Sequence, residues 1–384
     1  MAQDTDTPDA IGEAKSKAPT QTSVKESVAI TAVPKRDKKM LYLIAFAGLL
    51  TIFMGAALAL YSAVNYKYER AFKVSEAEAS TPYVFNVPKG SGLSSIAARL
   101  EKEELIESAF IFKLVTKMRG NEAKFKAGEF PLERGQSMAA IYENLVNGKA
   151  VQYPITLPEG LTSAMIMRSL DGFDALTDDN PKTPAEGTLL PETYNVPKGM
   201  SQSAFVAQLA RAQTDLLDEI WDKRAPDLPI KTRKEAIILA SIVEKETGIG
   251  AERDKVAGVF TNRLRRGMRL QSDPTIIYGV SKGEILRNKK GERRGIYRSE
   301  IDTKTDWNTY QIDGLPPTPI CNPGADAIRA VLNPAKTKAL FFVADGTGGH
   351  VFGETLKEHE ANVREWRKIE RARKRAAKRK KKTQ

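Results

Sequence analysis

Two glutamates at the end of an apolar segment are the first candidates for chemistry in this sequence. Thr232-Arg-Lys-Glu235 has the spacing of a helix-capping box, and the mostly apolar run that follows ends in Glu244, Glu246 and Gly248. Because this run is apolar nearly all round, it predicts a buried helix over 235–247 that Gly248 stops. Paired carboxylates at the end of a buried helix suit acid–base chemistry.

Helical spacing separates the two carboxylates. Glu246 falls on one stripe with four aliphatic residues, Ile238, Leu239, Ile242 and Val243. Glu244 falls on a more polar face. Burial and the negative end of the helix dipole both disfavour an ionised Glu246, so we expect its carboxyl group to be protonated near neutral pH and to suit a general acid. The alternative is a side chain that reaches solvent and pairs with Lys245 or Arg253.

The elements that must position this helix show a recurrent pattern. Short extended runs end in a glycine turn, and each is followed by Ser or Thr and by apolar residues at helical spacing. The four runs are Val87-Pro-Lys-Gly90, Leu132-Glu-Arg-Gly135, Leu157-Pro-Glu-Gly160 and Val196-Pro-Lys-Gly199. The pattern predicts strand, glycine turn, N-cap and helix, hence an α+β fold. Gly346-Thr-Gly-Gly349 similarly predicts a hairpin turn between 341–343 and 351–352.

The N-terminal part predicts one membrane span. Met40–Val64 holds 25 residues without a charge, enough for a helix of about 37 Å, which crosses a bilayer core. Five Lys/Arg precede it within 20 residues and three follow it, which favours a cytoplasmic N-terminus. We therefore expect a disordered cytoplasmic lead over 1–39, a transmembrane helix over 40–64 and a stalk over 65–82. A cleaved signal peptide ending at Ala57-Leu58-Ala59 is the alternative.

The positive charge is concentrated at the C-terminus. The sequence has 60 Lys+Arg, 48 Asp+Glu and a net charge of +12. Of this, +10 lies in 364–384 and +1 in 1–39, which leaves +1 for 66–363. A basic, disordered tail over 364–384 is expected, with weak attraction to an anionic lipid or polymer as the alternative and no nucleic-acid partner. One Cys and two His give no internal disulfide and no basis for a His-rich metal site, and we expect neither a metal nor a cofactor.

A series of motifs after the apolar helix carries a family resemblance. They are Ala240-Ser-Ile-Val-Glu-Lys-Glu-Thr247, Glu252 to Leu264, Gly267 to Gly279 with its Leu-Gln-Ser-Asp-Pro-Thr core, Asn308-Thr-Tyr310, Gly314-Leu-Pro-Pro317, Asn322-Pro-Gly-Ala325 and Phe342-Val-Ala-Asp-Gly346 with His350. In this order they resemble the MltG/YceG-like family of endolytic murein transglycosylases. The resemblance covers a catalytic domain over 151–363. Residues 83–150 resemble a LysM-like module that contacts peptidoglycan, although a plain βα packing module fits them equally well.

The resemblance implies a function. Members of this family are single-pass proteins of the cell inner membrane, with a cytoplasmic N-terminus and a periplasmic catalytic part. They cut the MurNAc-β-1,4-GlcNAc bond of nascent peptidoglycan without water, leave 1,6-anhydroMurNAc ends and so end glycan elongation. Their catalytic Glu falls on Glu246, beside Thr247. Glycan strands are the implied substrate, and cell-wall synthases (penicillin-binding proteins) the implied partners. A silent peptidoglycan-binding scaffold for those synthases is the alternative function.

Substrate-binding residues are expected in the loops of the same motifs. Amide, hydroxyl and aromatic groups suit a sugar, and the candidates are Gln271, Asp273, Thr275, Tyr278, Asn308 and Tyr310, with Glu192 and Tyr194 of Leu190-Pro-Glu-Thr-Tyr194 in second rank. For each of them the alternative is a hydrogen bond that fixes a loop. Asp273, which precedes Pro274, is the strongest candidate for a turn-forming role alone.

Overall fold

The computed structural model describes residues 38–71, 82–120 and 125–383, with side chains as far as residue 376. The chain divides into two units, Met1–Ala63 and Val64–Gln384. Its described part is a mixed α+β structure, as the sequence predicts. The predicted lead, except for its last two residues, and residues 72–81 of the predicted stalk lie outside the described residues.

The first helix, α1, spans Lys38–Glu69 and contains 32 residues. Among the described residues, α1 is the helix that is long and apolar enough to cross a membrane. Its large apolar side chains from Met40 to Leu60 are mostly exposed, as a lipid-facing helix requires. The helix continues five residues beyond the predicted end at Val64. Within the second unit, Tyr68 is fully buried and its ring lies 6.3 Å from that of Phe112.

A small βα subdomain follows in the second unit. Strands β1 (Pro82–Val87) and β2 (Gly128–Glu133) pair antiparallel. Helices α2 (Leu93–Lys102) and α3 (Ala109–Met118) lie between them in the chain, and α4 (Met138–Asn147) follows β2. These elements share one apolar core, which includes Phe85, Phe112, Phe130, Leu100 and Ile141. The subdomain therefore has its own core, while the resemblance to a LysM-like module stays a prediction.

A second small layer follows. Strands β3 (Gln152–Thr156) and β5 (Thr193–Pro197) pair antiparallel, and the two-residue strands β4 (Leu176–Thr177) and β6 (Met200–Ser201) pair parallel. Helices α5 (Ser163–Leu170) and α6 (Gln202–Ile220) cover this layer.

The recurrent glycine turns have the predicted conformation. Gly90, Gly135, Gly160 and Gly199 all have φ between +75° and +89°, a region that glycine enters without steric cost. Ser137, Thr162 and Ser201 cap the helices that follow the last three turns. The first turn differs: α2 begins after Gly92 rather than Ser91 and has no side-chain cap. The sequence pattern is thus confirmed for all four turns and for three of the four caps.

A mainly helical body holds the remaining motifs. Its helices are α7 (Arg233–Glu246), α8 (Gly250–Arg265), α9 (Asp273–Ser281), α10 (Arg298–Asp302) and α11 (Ala325–Leu332). Helix α7 is buried from Ala236 to Val243 in the largest apolar cluster, together with α8 and α11. The predicted hairpin is confirmed: β7 (Phe341–Ala344) pairs antiparallel with β8 (His350–Gly353).

The C-terminal segment differs from the expectation. Helix α12 spans Leu356–Thr383, so the prediction of a disordered tail over 364–384 is wrong for the described residues. Lys, Arg, Glu and Ala are strong helix formers, and ion pairs between Glu365 and Lys368 and between Glu370 and Lys374, both 2.7 Å, relieve part of the repulsion. Ile369 also packs against the hairpin loop at Gly346.

Candidate active site

Helix α7 positions Glu246. Its capping box is complete: the Thr232 hydroxyl accepts from the backbone N–H of Glu235, and the Glu235 carboxylate accepts from that of Thr232, both at 3.1 Å. The helix ends at Glu246, and Thr247 leaves the helical conformation. Because the helix is fixed by its cap and by the surrounding core, its last turn holds the Glu246 carboxyl group in a defined place.

Glu246 is partly buried and keeps some exposure to solvent. Burial raises the pKa of Glu246 to about 7. The hydrogen bond from Ser272 opposes this rise, the Asp273 carboxylate adds to it, and the charges of His350 and Arg263 lower the pKa again. At neutral pH the group is therefore present in both forms, as a group that must give and take back a proton requires.

Ser272 is the direct partner of Glu246. Its Oγ donates a hydrogen bond of 2.5 Å to Glu246 Oε1, and its side chain is fully buried. Ser272 is the N-cap residue of α9, yet its hydroxyl makes no cap hydrogen bond. The backbone N–H of Ser272 donates to Thr309 Oγ1 at 2.9 Å, which fixes the loop. The hydroxyl that would ordinarily cap the helix is thus directed at Glu246.

Asp273 and Tyr310 form the exposed side of the same cluster. The Tyr310 hydroxyl donates to Asp273 Oδ1 at 2.7 Å, and burial followed by this contact raises the pKa of Tyr310. Asp273 is exposed and is the first residue of α9. The charges of Asp273 and Glu246 both act on Tyr310, and the charge of Asp273 acts on Glu246.

Gln271 marks a strained point beside this cluster. Its φ is +50°, a left-handed conformation that costs a non-glycine residue free energy. Its backbone N–H donates to Thr309 O at 3.1 Å, while its side chain is exposed. The turn at Gln271 aims the next residue, Ser272, at Glu246.

Two of the predicted sugar-binding residues fix loops instead. Thr275 is fully buried; its hydroxyl donates to Ser272 O at 2.6 Å and shares a hydrogen bond of 2.9 Å with Thr309. Asn308 is also fully buried, and its amide donates to three backbone carbonyls, those of Glu300, Ile301 and Thr303. These contacts correspond to the loop-fixing alternative and leave neither side chain at the surface.

A family match extends over most of the chain. A sequence model described as the YceG-like family matches residues 85–365. The chain belongs to the YceG-like family. The match begins inside the βα subdomain and includes every motif around Glu246.

Individual relatives agree with this family. The YceG-like chain is 31% identical over 317 residues to an "Endolytic murein transglycosylase" of Bacillus subtilis strain 168, covering 74% of this chain and 84% of the relative. It is 28% identical over 326 residues to a protein of the same name from Streptococcus pneumoniae D39, covering 73% of this chain and 57% of that protein. A crystal structure of a YceG-like protein from Listeria monocytogenes aligns with a TM-score of 0.43 at 26% identity, covering 73% of this chain and 98% of that one.

The other glutamate of α7 has a different setting in this YceG-like chain. Glu244 accepts from the backbone N–H of Gly324 at 3.1 Å and lies 3.8 Å from the buried guanidinium of Arg253. Arg253 also pairs with Glu159 at 3.5 Å and with Asp326 at 3.3 Å. Lys245 donates to Gly160 O at 3.1 Å. The two cations considered as partners of Glu246 are therefore engaged elsewhere.

Glu192 and Tyr194 are not joined to the Glu246 cluster. The Tyr194 hydroxyl donates to Leu190 O at 2.9 Å, and its ring packs edge-on against Phe205 at 5.8 Å. Glu192 is exposed at the edge of β5, and its charge acts on Glu159. Tyr278 is a buried residue of α9. Its hydroxyl donates to Glu186 at 3.3 Å, and its ring packs edge-on against Trp307.

Sequence reasoning missed three groups around Glu246. Ser272 lies in the Leu-Gln-Ser-Asp-Pro-Thr motif, between the predicted sugar-binding residues Gln271 and Asp273, but is not among the residues predicted from the sequence. Arg263 is buried, and its guanidinium donates to Leu340 O at 2.7 Å and Leu270 O at 2.8 Å, so it keeps a fixed positive charge. His350 Nδ1 lies 2.8 Å from Glu252 Oε2, on the hairpin. Each is at least 17 residues from Glu246 in the chain, so local spacing does not indicate that it lies near Glu246.

The site contains the groups for acid–base chemistry on a sugar. Among the described residues, no three His, Cys, Asp or Glu side chains form a group that could hold a metal ion. What the cluster offers is one carboxyl group with a pKa near neutrality, a hydroxyl donor that fixes it, a fixed guanidinium and an exposed Asp–Tyr pair.

Proposed function

We propose that this protein is an endolytic murein transglycosylase in which Glu246 is the catalytic acid and base. Its membership of the YceG-like family and its similarity to proteins named endolytic murein transglycosylase support the activity. The observation that carries the assignment of the residue is the Glu246 carboxyl group, with a pKa raised to about 7, held by Ser272 at the end of a buried helix.

The proposed reaction needs one carboxyl group. Protonated Glu246 gives its proton to the oxygen of the MurNAc-β-1,4-GlcNAc bond, and the bond from C1 of MurNAc to that oxygen breaks. The resulting Glu246 carboxylate then takes the proton of the C6 hydroxyl, whose oxygen bonds to C1. The product is a 1,6-anhydroMurNAc end, and no water is consumed. Because the substrate supplies the nucleophile, the usual pair of carboxylates is not needed.

Electrostatics around Glu246 support this cycle. The Ser272 hydroxyl stabilises the carboxylate that forms after the first proton transfer, and Arg263 keeps a positive charge nearby. Asp273 and Tyr310 are placed to contact the sugar that develops positive charge at C1. Gln271 is the remaining exposed polar side chain beside them, whereas Thr275 and Asn308 support the loops.

The proposal includes the place of the reaction. Helix α1 supplies an anchor of sufficient length and apolarity, and the charges that flank it favour a cytoplasmic N-terminus. The catalytic part then lies outside the cytoplasm, where nascent glycan strands and the cell-wall synthases meet. A reporter that is active only in the cytoplasm, fused after Val64, tests this orientation. If the fused reporter is active, the catalytic part lies in the cytoplasm and the proposed orientation is wrong.

Product analysis tests the chemistry. Purified glycan strands are digested with the full-length protein in detergent and with its Glu246→Gln variant, and ends are identified by mass spectrometry. The wild type is expected to yield 1,6-anhydroMurNAc ends and Glu246→Gln none. Glu244→Gln, the same change one half-turn earlier, is expected to keep forming them. Reducing ends from the wild type, or equal cutting by Glu246→Gln, would contradict the proposal and favour the scaffold function.

A further inference from the structure

A cavity of about 560 Å³ opens beside Asp273, between α9 and the segment 283–301. This is a usual size for a ligand site. Its wall is largely aliphatic, formed by Ile277, Ile285, Leu286, Ile296, Ile301 and Ile320. The aliphatic side chains Ile285 and Ile296 are not fully buried, so the cavity exposes apolar surface that a ligand could cover.

The charged side chains that line this cavity are three cations, Lys245, Arg293 and Arg294, and two carboxylates, Asp273 and Glu284. The segment 282–298 on one side of the cavity holds seven Lys/Arg and two Glu, a net charge of +5, whereas the whole of 66–363 has a net charge of +1. Arg294 and Arg298 are paired with acidic residues. Arg293 lines the cavity, is exposed, and has no acidic partner in the part of the chain that the structure describes. Lys245, also at the cavity, donates to a backbone carbonyl.

The cavity adjoins the candidate active site at two points. Asp273 lines it and also accepts the Tyr310 hydroxyl, and the residue before Asp273 is the partner of Glu246. Lys245 lines it and directly precedes Glu246 in α7. The cavity and the cluster around Glu246 therefore share Asp273.

We propose that this cavity is a subsite for the short acidic peptide that murein carries on the lactyl group of MurNAc. Arg293 and Lys245 bind carboxylates of that peptide, and the aliphatic wall covers its small apolar side chains. This inference rests on the proposed function, because it takes murein as the substrate. A diphosphate group at the end of a glycan strand is also an anion that these cations could bind. Because the proposed cut is internal, however, that diphosphate lies several sugars away from Glu246.

Cleavage of two substrates tests the subsite. The full-length protein in detergent is given glycan strands that carry peptides and strands freed of peptides by an amidase. The wild type is expected to show a kcat/KM roughly tenfold higher on peptide-bearing strands, the effect of about one charged hydrogen bond. Arg293→Glu is expected to remove most of this preference. Lys289→Glu, the same charge change on an exposed residue of the same segment that does not line the cavity, is expected to keep it.

Equal cutting of both substrates by the wild type overturns the inference. So does loss of preference in Lys289→Glu to the same extent as in Arg293→Glu, because a general charge effect then explains it. If the wild type cuts neither substrate, the proposed function fails, and binding decides the subsite separately. In the Glu246→Gln background, peptide-bearing strands should bind roughly tenfold more tightly than peptide-free strands, and Arg293→Glu should abolish the difference. Equal binding overturns the subsite.

Discussion

Removing the Ser272 hydroxyl should change the pH dependence of cleavage without disturbing the fold. Ser272 Oγ lies 2.5 Å from Glu246 Oε1 in a buried position. Because this hydroxyl makes no cap hydrogen bond to α9, Ser272→Ala leaves the hydrogen bonds of the helix in place. The substitution therefore acts on the Glu246 carboxyl group.

The size of the effect follows from the hydrogen bond. The Ser272 hydroxyl donates to the ionised carboxylate and lowers the pKa of Glu246, which burial has raised to about 7. A hydrogen bond to a charged group contributes about 1.5–3 kcal/mol, and one pKa unit corresponds to about 1.4 kcal/mol. Its loss should raise the pKa of Glu246 by about one to two units. Since the first step needs protonated Glu246, activity should persist to correspondingly higher pH.

The assay is the initial rate of strand cleavage between about pH 5 and 9, expressed as kcat/KM. Ser272→Ala should shift the alkaline limb to higher pH and lower the plateau, because the carboxyl group is held less firmly. Ser272→Thr keeps a hydroxyl and should leave the limb close to that of the wild type. An alkaline limb that stays in place or moves to lower pH in Ser272→Ala would refute the assigned role of this hydrogen bond.

Three further predictions concern stability. Glu246→Gln should stabilise the fold at pH 8 by about 3 kcal/mol and have little effect at pH 4. The folded pKa of about 7 exceeds the ordinary value of 4.5, so the wild type loses stability as pH rises through this window; equal melting shifts at both pH values would contradict this. Asn308→Ala, which deletes hydrogen bonds to three carbonyls, should cost about 2–4 kcal/mol in urea unfolding, and a loss below about 1 kcal/mol would argue against the loop-fixing role. Gly187→Ala should cost well over about 2 kcal/mol, because φ is +77° and a Cβ would lie 2.6 Å from Pro319 Cβ. Gly199→Ala, with φ +82° and no atom within 4 Å of the added Cβ, should cost about 1 kcal/mol, and equal losses would exclude the steric contribution.

Local rules account for the parts of the fold that the sequence could predict. The capping box at Thr232 and Glu235, the glycine turns and the hairpin depend on residues a few positions apart, so their patterns are readable in the chain. The setting of Glu246 was also predictable, because helical spacing alone puts it on an apolar stripe. Burial then raises the pKa of that side chain, as the spacing implies.

Long-range packing determines what the sequence could not predict. Ser272 reaches Glu246 across 26 residues of chain, and Arg263 is fixed by the carbonyls of Leu270 and of Leu340, which directly precedes strand β7. Thr275 and Asn308 have the side chains of sugar-binding residues, but the same donors and acceptors suit a buried loop, and burial decides between the two uses. In the C-terminal segment, charge repulsion suggested disorder while helix propensity and packing favour α12.

The two glutamates of α7 show why the chemistry falls on one of them. Both are acidic side chains in the last turn of one buried helix. Glu244 receives the N–H of Gly324 and lies near the guanidinium of Arg253, so its carboxylate has a backbone donor and a cation beside it. Glu246 has one neutral hydroxyl donor and an adjacent carboxylate, so its ionised form is only partly compensated and its pKa stays near 7. A cation placed directly on Glu246 would lower that pKa and remove the acid form, so the absence of such an ion pair among the described residues is a condition of the proposed mechanism.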